Sequence, residues 1–195
     1  GRRRSALPSR LGAALACRWT PAASLQTIGA IIERPRTFYV IETGSTNGVG
    51  TPAFTTGGKV VVNLGGTNSA DGVAFGKSGT IVGAGAATPG VGFDFAVTRL
   101  TSAGGPDNSF SGDGKVTTDL GGFDAGDALV VQKDGAIVVG GSSDAIDDER
   151  RSAMVRYETD GDPDPTFSQD GIQIFPFGDK LSDIEDIALQ GDGKI

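Results

Sequence analysis

Three acidic side chains stand at alternate positions in the segment Asp160-Gly161-Asp162-Pro163-Asp164. Calcium is bound by about six to eight oxygen ligands, and a short turn rich in aspartate can supply several of them. No glutamate follows at the spacing of a helix–loop–helix calcium site, and the similar segment 103–107 retains one acid. The sequence therefore favours a turn closed by side-chain hydrogen bonds over a calcium site formed by Asp160, Asp162 and Asp164.

Arginine and aspartate each recur at a fixed distance along the chain. Arg99 is matched by Arg156, and Asp71 is matched by Asp127. Such charges could form a ring that faces a ligand at the axis of a circular repeat protein. They could also form the same structural ion pair or hydrogen bond in each repeat, because stacked repeats reuse their contacts. The sequence favours this structural role.

The usual catalytic residues are missing. The chain has no histidine, which removes the common general base, the Ser-His-Asp arrangement and most catalytic zinc sites. Cys17 is the single cysteine, so it forms no intramolecular disulfide and has no histidine to activate it. The glycine-rich strings 83–90 and 140–144 open no helix, which argues against a phosphate-binding loop. We predict a protein without enzymatic activity and assign no catalytic, cofactor-binding or metal-binding residue.

These residues belong to a repeating sequence. The string FSGDGKVTTDLGG begins at Phe110, FTTGGKVVVNLGG begins at Phe54, and FSQDGIQIFPFGD begins at Phe167. The successive steps are 56 and 57 residues. A fixed period of this size indicates a repeat architecture.

Each repeat contains four strand-like segments separated by turn residues. In the second copy they are Lys115–Leu120, Ala128–Gln132, Ala136–Gly141 and Ser152–Glu158. The first alternates with a period of two, whereas the third is continuously apolar and is expected to be covered on both faces. Lys133-Asp134-Gly135 predicts a two-residue hairpin turn in which glycine adopts a positive φ. The predicted fold is all-β, with tandem four-stranded antiparallel repeats in a partial β-propeller-like architecture; a β-solenoid or a repeat-derived sandwich is the alternative.

The motifs SFSGDGKVTTDLGG, GDALVVQKDGAIVVGGSS and SAMVRYETDGDPDPTF resemble the bacterial delta-60 repeat. The resemblance covers residues 49–195, with departures at Leu100, Gly105 and Asp162. It implies tandem β-propeller-like repeats in large exported or surface-associated proteins. It implies no known catalytic activity, and it supplies no catalytic residue.

The chain divides into five segments along this pattern. Residues 1–24 are expected to be a disordered extension, with a weak export signal as the alternative because LGAALAC follows four arginines. Residues 25–53 are a degenerate partial repeat, in which Leu25 to Ile32 and Thr37–Glu42 are predicted strands. Complete repeats follow at 54–109 and 110–166, and a truncated repeat at 167–195 is expected to supply two strands and the start of a third.

About four blades are the minimum for a closed propeller, so the sequence predicts a fragment with open edges that can pair between chains. The net charge of −7 and the pI near 4.5 argue against nucleic-acid binding. No apolar run is long enough for a transmembrane helix. We expect a scaffold or binding surface for an unknown protein or carbohydrate ligand, located outside the cell or at its surface, with no cofactor. The alternatives are a calcium-dependent adhesion or carbohydrate-binding module and a propeller-type hydrolase or lyase that uses Asp and Glu.

Overall fold

The computed structural model describes residues 13–19, 25–33, 37–43, 59–146, 149–175 and 181–195. Within these ranges the regular structure consists of twelve strands and one short 3-10 turn, Lys77–Gly79. The strands are β1 Ala13–Trp19, β2 Leu25–Glu33, β3 Thr37–Thr43, β4 Lys59–Val62, β5 Gly72–Phe75, β6 Ile81–Ala87, β7 Asp94–Leu100, β8 Lys115–Thr118, β9 Asp124–Val131, β10 Ile137–Ser143, β11 Arg151–Tyr157 and β12 Ile172–Phe175.

The strands form three antiparallel sheets of four, each a simple meander in chain order: β1 to β4, β5 to β8 and β9 to β12. The first strands of the sheets lie together, because β5 contacts both β1 and β9. Sheets that share an inner edge in this way fan outward like the blades of a propeller. The predicted all-β, partial propeller-like architecture is confirmed.

The sheets and the sequence repeats differ in phase by one strand. Strand β8 belongs to the sequence copy that begins at Phe110, yet it pairs with β7, where Val97 stands opposite Val116. In the same way β4 pairs with β3, and Val60 stands opposite Val40. Each sheet therefore takes its outer strand from the following copy, so successive copies are joined by backbone hydrogen bonds.

The first sheet reaches into the segment that we expected to be an extension. Ala13–Trp19 form β1, and Ala16 pairs with Ile28 of β2. Disorder is therefore the wrong prediction for these seven residues, because a sheet edge gives a short alanine-rich segment backbone partners that its composition does not reveal. The predicted strands at Leu25 to Ile32 and Thr37–Glu42 are confirmed by β2 and β3. Residues 1–12 and 20–24 lie outside the described residues.

The last segment departs from its prediction in a different way. Strand β12 forms as expected, but residues 181–195 contain no strand. A strand needs a ladder of partners, whereas this segment makes separate hydrogen bonds, from the Ser182 N–H to the Arg150 carbonyl (3.0 Å) and from the Ile184 N–H to the Gly141 carbonyl (3.2 Å). We call residues 181–195 the covering segment, because Ile184 lies over Gly140 of β10.

Strands β6 and β10, the second strands of the second and third sheets, lie between two hydrophobic layers. Every residue of β6 and β10 is buried, which confirms the prediction that 136–141 is covered on both faces. Along β6 the side chains alternate: Ile81 packs in a cluster with Val62 of the first sheet, and Val82 packs in a cluster with Ile137 of the third. The core therefore lies between the sheets, where each sheet covers its neighbour.

In the second and third sheets, the hairpin turns between the first and second strands have three residues rather than two. The Gln132 N–H donates to the Ala136 carbonyl at 2.8 Å, which leaves Lys133, Asp134 and Gly135 in the loop. Gly135 has a φ of 100°, so the predicted role of glycine is correct although the predicted loop length is wrong. A glycine with positive φ at the end of a three-residue loop accommodates the extra residue as a bulge.

Two equivalent glycines let the inner strand approach β6 and β10 closely. A Cβ atom on Gly141 would lie 1.9 Å from the Ala125 carbonyl oxygen, and one on Gly85 would lie 2.1 Å from the Ser69 carbonyl oxygen. The neighbouring Gly140 differs, because its Cβ would meet side-chain atoms rather than backbone, Cγ2 of Ile184 at 2.8 Å and Cγ2 of Ile187 at 3.2 Å. Backbone atoms held in a sheet cannot move aside as a side-chain methyl group can.

We therefore expect Gly141→Ala to lower the free energy of unfolding by about 3 kcal/mol, and Gly140→Ala to lower it by about 1 kcal/mol. Urea denaturation of the two variants, followed by circular dichroism, measures both values. Equal losses would show that the close approach to the Ala125 carbonyl does not constrain the sheet.

Candidate functional site

The two recurring arginines form structural ion pairs. Arg99 lies near the end of β7, and its Nε donates to Asp107 Oδ2 at 2.7 Å. Arg156 occupies the same place in β11 and forms an ion pair with Asp164. Both also reach beyond this pair: Arg99 Nη1 donates to the Thr159 carbonyl at 2.6 Å in the next copy, across about 60 residues of chain. The structural interpretation of the arginines is confirmed.

The acidic turn at 160–164 is closed by its own side chains. Asp164 is nearly completely buried and its carboxylate pairs with Arg156 while also accepting the Thr166 N–H at 2.8 Å. Asp160 Oδ1 accepts the Asp162 N–H at 3.3 Å. These contacts confirm the favoured turn and leave the calcium interpretation of Asp160, Asp162 and Asp164 without a converging set of oxygens.

The recurring aspartates, in contrast, meet at the inner strands. Asp127 lies in β9 where the register with β10 shifts, and its carboxyl group interacts with those of Asp183 and Asp71. Asp127 Oδ2 and Asp183 Oδ1 are both buried and have no donor from another residue type. A hydrogen bond to Asp183 favours the protonated form of Asp127. Arg150 forms an ion pair with the other oxygen of Asp183.

The surroundings of Asp127 favour the protonated form of its carboxyl group. Burial, followed by the charges of Asp183 and Asp71, raises the pKa of Asp127 to about 7, against the opposing charge of Arg150. Burial also raises the pKa of Asp71. Sequence reasoning identified Asp71 and Asp127 but missed Asp183. When the repeats are aligned on the turn glycines Gly135 and Gly193, the residue equivalent to Asp127 is Glu185.

A second acidic cluster lies at the junction of the second and third sheets. It consists of Asp94 at the start of β7, Asp119 just after β8 and Asp124 at the start of β9, and one oxygen of each lies within 4.8 Å of the others. Burial raises the pKa of Asp124, and the charges of Asp119 and Asp94 act in the same direction. Burial and then the Asp119 charge raise the pKa of Asp94. No sequence signal indicates this cluster, because its members lie in or beside three different strands.

A cavity of about 370 Å³ opens beside Asp124. Its wall combines two aromatic rings with several polar side chains: Ser69, Ala86, Phe93, Phe123, Asp124, Ala125, Ser142, Asp144 and Arg150. The Phe93 and Phe123 ring centroids are 6.4 Å apart, and Phe123 is 63% exposed. A concave surface with an exposed aromatic ring and a few polar groups is the usual composition of a ligand-binding site.

Comparison with known protein families agrees with this architecture. Residues 132–167 match the family described as "Domain of unknown function (DUF5122) beta-propeller". The matched segment runs from the turn before β10, through β10 and β11, to the acidic turn and Phe167. Comparison with curated proteins finds no match. The chain carries a β-propeller-like repeat. The described part of the chain contains no helix that is long and apolar enough to cross a membrane.

The raised pKa of Asp127 makes stability depend on pH. Because Asp127 has a pKa of about 7 in the folded protein and about 3.8 as an ordinary aspartate, the folded state holds its proton more tightly. Its contribution to stability is present below about pH 4 and is lost as the pH rises to about 7. We expect the free energy of unfolding to fall by about 1–2 kcal/mol over that range, because solvent screening reduces the full effect of the shift.

Asp127→Asn keeps the position neutral, so we expect a flatter dependence of stability on pH, measured by urea denaturation from pH 4 to pH 8. Asp162→Asn removes the same charge at an exposed turn and is the matched control. A slope that Asp127→Asn leaves unchanged would contradict the raised pKa of Asp127.

Proposed function

We propose that the chain is a non-enzymatic β-propeller-like repeat module of the delta-60 type, which serves as a scaffold or binding surface in a larger exported protein. The observation that carries this proposal is the use of the recurring polar side chains. The side chains of Arg99 and Arg156 make contacts within and between repeats, and their ion-pair partners are Asp107 and Asp164. Residues that recur because they join repeats are not available to act on a substrate.

The cavity beside Phe123 is the surface that we propose for ligand recognition. Phe123 presents an exposed ring, and Arg150 and Asp144 add charged groups to the same wall. An aromatic face flanked by hydrogen-bonding groups suits a sugar ring or a peptide side chain, which present apolar and polar surfaces together. We therefore propose a carbohydrate or protein ligand.

Removing the exposed ring tests this assignment. We expect Phe123→Ser to weaken binding at least tenfold in an array of purified polysaccharides and cell-surface proteins, because the apolar platform is lost, about 1.4 kcal/mol or more. Leu181→Ser is the matched control, since Leu181 is also an exposed apolar side chain but lies outside the cavity wall. Binding by the unaltered chain that Phe123→Ser does not weaken would place recognition elsewhere.

The second candidate function is hydrolysis or elimination by acid–base catalysis, and the Asp127–Asp183 pair favours it. Burial raises the pKa of Asp127 to about 7, and a carboxyl group that holds its proton near neutral pH can act as a general acid. The Phe123 cavity does not place either group in its wall, however, so this binding surface and the acid pair are separate.

We expect no turnover of chromogenic glycosides, esters or uronic-acid polymers between pH 5 and pH 8. The assay uses the unaltered chain with Asp127→Asn and Asp162→Asn beside it. Turnover that Asp127→Asn abolishes and Asp162→Asn retains would establish the second candidate and overturn the non-enzymatic proposal.

A further inference from the structure

The cluster of Asp94, Asp119 and Asp124 leaves a buried charge uncompensated. Asp124 is completely buried, its Oδ2 accepts the Leu120 N–H at 2.7 Å and its carboxyl group interacts with the Ser143 hydroxyl, but no donor lies in hydrogen-bonding geometry at its Oδ1. A carboxylate oxygen without a donor in the interior is costly, and two further carboxylates within 4.8 Å increase that cost. The arrangement requires either neutralisation by a proton or a bound cation.

The first repeat shows that the fold itself does not require these charges. Asn63 and Asn68 stand 56 residues before Asp119 and Asp124. Asn63 Oδ1 accepts the Gly65 N–H at 2.8 Å, as Asp119 Oδ1 accepts the Gly121 N–H at 2.7 Å. Asn68 Oδ1 likewise accepts the Leu64 N–H at 3.3 Å, as Asp124 Oδ2 accepts that of Leu120. A neutral amide therefore closes the same turn, and the acids add charge that the turn does not use.

The surrounding basic residues do not supply the missing charge. Among the residues that the structure describes, no lysine or arginine forms an ion pair with Asp94, Asp119 or Asp124. Arg150 lines the same cavity as Asp124, but its guanidinium bonds to Ser142 Oγ and pairs with Asp183. Asp119 is exposed and Asp124 lines the cavity, so an ion can reach the cluster from solvent.

We propose that Asp94, Asp119 and Asp124 bind a calcium ion at the junction of the second and third sheets. The donors are oxygen atoms alone, which suits a hard divalent cation and not the metals that prefer histidine or cysteine. Calcium accepts irregular geometry and a variable number of ligands, so water molecules complete the shell around the three carboxylates. This site is distinct from the acidic turn at 160–164, where Arg156 already neutralises Asp164.

Isothermal titration of the full chain with calcium chloride tests the proposal. The protein is first dialysed against a chelator and then against buffer with about 0.15 M KCl, which screens non-specific attraction to an acidic protein. We expect one saturable site with a dissociation constant on the order of 10⁻⁴–10⁻³ M, and a melting temperature that rises with calcium. Magnesium chloride is expected to bind at least tenfold more weakly, because magnesium demands stricter geometry.

The double variant Asp119→Asn/Asp124→Asn introduces the residues that the first repeat already uses. It is expected to weaken calcium binding at least tenfold, while its melting temperature without calcium stays the same or rises because repulsion is removed. If the double variant fails to fold, Asp119→Asn alone provides the test, since Asp119 is exposed. Asp160→Asn/Asp162→Asn is the matched control and is expected to retain full binding.

Three outcomes would overturn the proposal. The first is the absence of a saturable calcium site in the unaltered chain, which would leave protonation as the means of neutralisation. The second is unchanged calcium binding in the Asp119 and Asp124 variants, or its loss in the control. The third is binding of magnesium as tight as that of calcium. None of these results depends on the ligand of the Phe123 cavity, so the proposed binding function stands or falls separately.

Discussion

The burial of both faces of β6 and β10 is the constraint on which the rest of the structure depends. A four-stranded sheet whose second strand is apolar on both sides cannot be stable alone, so the second and third sheets must each be covered on both faces. The third sheet meets this need through the covering segment, which lies over β10 although it is not a regular strand. The polar contacts between copies then fix the sheets in register: Lys77 donates to the Asp134 carbonyl, and Lys133 donates to the Gly191 carbonyl at 3.3 Å.

This constraint separates two kinds of polar residue. The recurring arginines Arg99 and Arg156 have an aspartate partner in each copy and hold the stack together, whereas the recurring Asp71 and Asp127 have different partners. Polar residues that differ between equivalent positions do not make these repeated contacts. Asp124 replaces the neutral Asn68 while retaining its bond to the turn, and Asp183 departs from the register set by the turn glycines. Each of the two acidic groups in this protein therefore includes a residue at which one copy differs from another.

The period and the strand pattern allowed the fold to be predicted, because each of these features is local and repeats. The phase of the sheets could not be predicted in the same way, since hydrogen bonding of β8 to β7 rather than to β9 is a choice between neighbours that the strand sequence does not record. For the candidate sites the result is mixed. The roles of Arg99 and Arg156 and of the turn at 160–164 followed from local sequence. The meeting of Asp127 with Asp183, and of Asp94 with Asp124, depends on how separate sheets stack.

The offset between sequence copy and sheet has a consequence for how such a chain can lengthen. Because the outer strand of each sheet comes from the next sequence copy, the boundary between two copies lies inside a sheet and not between sheets. A tandem duplication of one period, wherever it starts, therefore inserts one whole sheet and leaves both flanking junctions bonded as before. The sequence repeat need not coincide with the sheet that packs. The number of blades can therefore change without a fixed boundary position in the repeat.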